Sequence, residues 1–127
     1  MVNYDAFYSN DIYQLSKVSD EELNFWVMVV ANDWQQEAHP QRMNLTFLGG
    51  NIAHWDVDDE VDTIPDYCRD ANLNEELAKE NCINTRPKHT TGCRPAWISS
   101  AEGVAITSYG YAGRSICLAY IAMHMGE

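Results

Sequence analysis

An α+β fold, a small and mostly antiparallel sheet of about four strands packed with about three helices, is what this 127-residue chain predicts. Three observations lead there. Apolar residues recur at helical spacing around residues 23–34 and 116–123, and two pairs of alternating segments are joined by glycine-containing turns. The elements then run in the order α-β-β-α-β-β-α. The length suits one domain with one core, residues 1–127, in which residues 1–18 form an N-terminal arm.

The arm offers Tyr4, Phe7, Tyr8, Ile12, Tyr13 and Leu15 as anchors, in an extended or weakly helical segment. Ser19 and Glu22 then form a capping box, with Val18 and Leu23 placed as a hydrophobic staple. Asp20, Glu21 and Glu22 face the positive end of the helix dipole. This predicts a helix over residues 20–34 with Leu23, Trp26, Val27, Val30 and Trp34 on one stripe. Phe25, Met28 and Val29 make a second side apolar, which favours a helix sandwiched inside the fold over one meeting a partner.

Residues 43–48 alternate, Gly49-Gly50-Asn51 turns the chain, and residues 52–55 with Val57 return. The acidic run 56–62 reads as a solvated interruption. Asp70 or Asn72 caps a helix near residues 71–80 whose contact is narrow, through Leu73, Leu77 and Ala78. Residues 85–95, with two prolines and a glycine, read as an exposed loop. Residues 97–99 and 104–109 flank a turn-rich connection, and a last helix runs through Ile116, Ala119, Tyr120 and Met123 to Gly126.

The charge is unevenly distributed. Of 19 acidic and 8 basic residues, net -11, the first 66 positions hold thirteen acids against Lys17 and Arg42. The remaining positions balance at six of each. Such a field repels nucleic acid and anionic membranes and attracts basic protein surfaces. Cys68, Cys82, Cys93 and Cys117 form no C-x-x-C pair and no secretory leader is visible, so four thiols in a cytosolic protein are expected. The apolar run 115–125 falls short of the roughly 20 residues that cross a bilayer.

Asp56-Val57-Asp58-Asp59-Glu60-Val61-Asp62 is the densest charged array. It fails the calcium-loop pattern in either register, for want of a glycine at the sixth position and a carboxylate at the twelfth. No metal site is expected there, nor from Cys82, His89 and Cys93, whose spacing matches no zinc motif. The array suits imitation of a phosphate backbone, with Trp55 beside it as an anchor and Asp20, Glu21 and Glu22 extending the contact. A smaller basic set, Arg86, Lys88, Arg94 and Arg114, suits phosphate recognition instead. No nucleophile and base stand at a telling spacing, so the chain reads as a non-enzyme that needs no cofactor.

Two segments carry a resemblance. Ile64-Pro65-Asp66-Tyr67-Cys68-Arg69-Asp70-Ala71-Asn72-Leu73 looks like the Pro-x-Tyr-Ser-x-Asp start of the middle helix in the phage α-β-α sandwich domain family. Gly113-Arg114-Ser115-Ile116-Cys117-Leu118-Ala119 is similar to that family's Ala-Ile-Cys-x-Ala closing helix, and residues 15–23 resemble the start of related small phage proteins. Cys68 stands where the family has serine, and the middle-helix aromatic is replaced by Glu75 to Leu77. The resemblance implies a phage or prophage origin and an antiparallel sheet between helices, and it supplies no catalytic residues. Joined to the charge pattern, it leads to an expectation of an anti-CRISPR or anti-restriction inhibitor in the host bacterial cytoplasm. Its partner would be a defence protein with a basic groove, with no direct nucleic-acid binding, no membrane and a homodimer allowed. The alternatives are a binder of a nucleotide immune signal through the basic set, across an oligomer interface, and a phage accessory or assembly protein.

Overall fold

The computed structural model describes residues 6, 7, 9, 11–32, 43–47, 51–55, 60–88, 96–110 and 112–124, with backbone alone for 43–63. The class is α+β. Four helices are present among these residues: α1 (Ile12–Leu15), α2 (Asp20–Ala31), α3 (Ala71–Glu80) and α4 (Ala112–His124).

Helix α2 starts where its cap dictates. Ser19 is extended and its Oγ accepts the Glu22 backbone N–H at 3.2 Å. The helix stops at Ala31, where the Asn32 side chain donates to the Met28 carbonyl, and Trp34 lies outside the described residues. Every residue from Glu22 to Val30 is buried, which makes α2 an interior helix enclosed on all sides. Phe7 of the arm stacks on Trp26 with ring centroids 4.1 Å apart, and Leu15 is fully buried.

The strands depart from a single four-stranded sheet. Among the described residues two three-stranded antiparallel sheets occur, ordered β1-β2-β3 and β4-β5-β6. Their strands are β1 (Met43–Phe47), β2 (Asn51–Trp55), β3 (Glu60–Thr63), β4 (Asn84–Lys88), β5 (Ala96–Ala101) and β6 (Val104–Tyr109). Both expected hairpins are present, and each gains a third strand. Residues 60–63, of which 60–62 belong to the acidic run expected as a solvated interruption, pair with β2; residues 84–88, of which 85–88 belong to the expected loop, pair with β5. Among the described residues both additions are edge strands, where charge and a proline such as Pro87 are tolerated because one side needs no partner. The β5–β6 turn is two residues long, and Gly103 takes φ +77, a conformation that suits glycine.

Helix α4 ties the core together. It lies on all three strands of the second sheet and also packs on α2 and α3. Its contact with the α3 side needs a residue without a Cβ. A Cβ on Gly113 would overlap the Cys68 carbonyl oxygen and the Asn74 amide. One core cluster joins Phe7, Leu15, the α2 residues, Ile64, Cys68, Leu77, Ile83 and α4 from Ile116 to Ile121. Among the described residues no helix is long and apolar enough to cross a membrane.

Candidate interaction surfaces

The acid array is only partly in view. Asp56, Asp58 and Asp59 lie outside the described residues. Glu60 and Asp62 sit on edge strand β3, with Glu60 directly across from Trp55 and Asp62 across from Ala53.

The first-helix acids do not extend that array as a free surface. Asp20 Oδ1 receives Arg114 Nη1 at 2.6 Å, and Asp20 Oδ2 stands 3.2 Å from Arg69. Glu21 is 3.9 Å from the same Arg69, and Glu22 is only 4% exposed. Asp20 and Glu22 are therefore internal groups. Sequence alone does not separate them, because a cap acid and a surface acid look alike until their partners arrive from residues 69 and 114.

Arg114 is corrected in the same way. Both it and Asp20 have side chains 14% exposed, and its guanidinium also donates to the Ser16 carbonyl at 2.8 Å and to the Val18 carbonyl. A guanidinium with three acceptors in place is a clasp between the arm and α4, not an arm for a ligand. Beside it a polar seam crosses the core. Asn24 donates to Asp66 Oδ1 and accepts the Cys68 N–H, both at 2.9 Å, while Asn74 donates to the Cys68 carbonyl.

Cys68 and Cys117 meet next to this seam, both fully buried and reduced. The Cys117 thiol is pushed up well above the ordinary range, first by its hydrogen bond with Cys68, then by burial and by the negative charge of Asp20. A buried thiol held protonated is inert as a nucleophile. Tyr67, nearby, is also raised, mainly by burial. Cys82 is exposed, whereas His89 and Cys93 lie outside the described residues. Among the described residues no three His, Cys, Asp or Glu side chains are grouped to hold a metal ion.

Of the basic set, Arg86 and Lys88 remain exposed, and Arg94 is outside the described residues. Thr85 Oγ1 meets Ser99 Oγ at 2.9 Å, and Ser99 Oγ meets Ser115 Oγ of α4 at 2.8 Å. These hydroxyls define the face turned to α4, so alternation places Arg86 and Lys88 on the opposite face. The register sets Arg86 in line with Ile98 and Thr107, and Lys88 in line with Ala96 and Tyr109. Tyr109 is 51% exposed.

A surface not anticipated from the sequence lies along α3. Asn72, Glu75, Glu76, Lys79 and Glu80 line an open groove of about 610 Å³. Counting charges by half-chain hides it, since its three carboxylates face one lysine here and are averaged against five bases that lie elsewhere.

Comparison with protein-family models, with curated proteins and with solved structures finds no match to this chain.

Proposed function

We propose that this protein is a phage-encoded, non-enzymatic inhibitor of a bacterial defence complex, of anti-CRISPR or anti-restriction type, acting in the host cytoplasm. It binds a basic nucleic-acid-binding surface through Asp56, Asp58, Asp59, Glu60 and Asp62, with Trp55 as anchor and Glu21 at the periphery. Asp20 and Glu22 drop out of the contact because both are internal. The observation that carries the reading is the charge itself: net -11, of which five acids fall within seven residues. The placement of Glu60 and Asp62 on an edge strand supports it, because an edge presents acids at a regular spacing of about 7 Å every second residue. Membership of the phage α-β-α sandwich family is part of the same proposal and rests on the segments around Cys68 and Cys117.

The test is a plaque assay on hosts carrying CRISPR or restriction systems. Expression of the protein restores plaques on at least one host, and replacing the five acids with lysine removes that protection. Protection that survives the five-lysine variant overturns the reading. Capture of the partner should weaken steeply with salt.

One observation favours a second reading. Arg86 and Lys88 share an exposed sheet face with Tyr109, and that combination suits a phosphate beside a stacked base. In that case the protein sequesters a nucleotide signal without Arg114. Calorimetry with cyclic nucleotides and ADP-ribose derivatives separates the two, because the acid-face inhibitor gives no heat with either.

A further inference from the structure

We propose that Cys68 and Cys117 form an oxidisable pair, which a peroxide joins into an internal disulfide when the clasp beside them opens. The backbone of residue 68 is pressed against α4, since a Cβ on Gly113 would overlap the Cys68 carbonyl oxygen. Cys117 stands one turn further along the same face of α4. Helical side chains lean back toward the N-terminus, so its thiol is carried toward Cys68. There the two side chains meet in a hydrogen bond. A disulfide asks for Cα atoms about 4.4–6.8 Å apart, and side chains already in contact meet that demand with little movement of the backbone. A single buried cysteine is a small hydrophobe. Two that touch are also a source of two electrons.

Both residues are fully buried, so access decides when they react. Cys68 Sγ donates to the Asp20 carbonyl at 3.8 Å, and the Asp20 side chain, partly exposed, is held by Arg114. Asp20 thus links the pair to the protein surface, and Arg114 keeps it in place. While this clasp is closed the Cys117 thiol keeps its proton and is unreactive. Opening lets peroxide in. One sulfur, as thiolate, attacks the peroxide; the O–O bond breaks, leaving a sulfenic acid and one water. The second sulfur then displaces the sulfenic hydroxyl, which leaves as water, and the S–S bond forms. Two thiols have given up two electrons and two protons, and one hydrogen peroxide has become two waters. The bond fastens α4 to the segment that enters α3. Neither cysteine lies in the acid run, so this proposal and the inhibitor reading fail independently.

The test treats the folded chain with hydrogen peroxide, blocks the remaining thiols by alkylation and maps the peptides without reduction. The expected product is one crosslink, Cys68 to Cys117, reversed by a small thiol. The crosslinked chain should show a higher urea midpoint, because its unfolded state is constrained. That midpoint should also lose the part of its alkaline fall that belongs to the Cys117 thiol. Arg114→Ala should crosslink several-fold faster than the wild type, and urea below the unfolding transition should speed the wild type in the same way. A pair that stays reduced, or that oxidises without joining, overturns the proposal. So does a crosslinking rate that neither Arg114→Ala nor urea raises.

Discussion

Gly113 and Cys117 lie one turn apart on α4, and both are shaped by Cys68. At Gly113 the constraint is space, since any Cβ meets backbone that cannot swing away. Gly113→Ala should cost about 1–3 kcal/mol, read as a lower urea midpoint with an unchanged slope. At Cys117 the constraint is charge. The folded thiol holds its proton more tightly than the unfolded one, so its contribution to stability is complete below the unfolded value of about 8.5. It is lost as pH rises from there through the raised folded value. Tyr67 acts in the same direction at higher pH. Urea midpoints measured from neutral to alkaline pH should therefore fall, and Cys117→Ala should flatten the part that begins near the thiol range. The sequence marked both cysteines as thiols. It could not show that they touch, because 49 positions separate them and only the packing of α4 closes that gap.

Helix α2 was the most legible element, since its start is written in side chains that act over three residues. Ser19→Ala should lower stability by about 1 kcal/mol, measurable by denaturant titration, because the Glu22 N–H loses its acceptor. The edge strands β3 and β4 were the least legible. Asp62 within β3 and Pro87 within β4 are residues that local propensity assigns to loops. They become strand only because β2 and β5 offer an unpaired side, which is a property of the sheet and not of the segment. The two hairpins themselves were readable, since alternation and turn glycines are local signals.

Over the molecule as a whole, the acidic half described by the sequence is less uniform in space. Arg69 and Arg114, both from the balanced half, cross over to Asp20 and Glu21, while Glu75, Glu76 and Glu80 of that half form an acidic groove. The remaining negative charge still repels itself. Added sodium chloride should therefore raise the thermal midpoint of the isolated protein, and a midpoint that falls would show that the ion pairs around Asp20 outweigh the repulsion. The candidate surface was legible only as composition. Charge can be counted residue by residue, but which acids are neutralised depends on contacts made across the fold.

The clasp at Arg114 has a kinetic side as well. Its three bonds reach acceptors 94, 96 and 98 positions earlier in the chain, so closing it encloses most of the sequence in one loop. Loop closure over that distance is entropically unfavourable until the helices and the second sheet already hold the ends together. The clasp should then form after the rate-limiting step and act as a latch on the finished fold. Arg114→Ala would unfold faster while refolding at nearly the wild-type rate, the pattern of an interaction absent from the transition state. The lifetime of the folded chain, more than its speed of assembly, is what this one arginine sets.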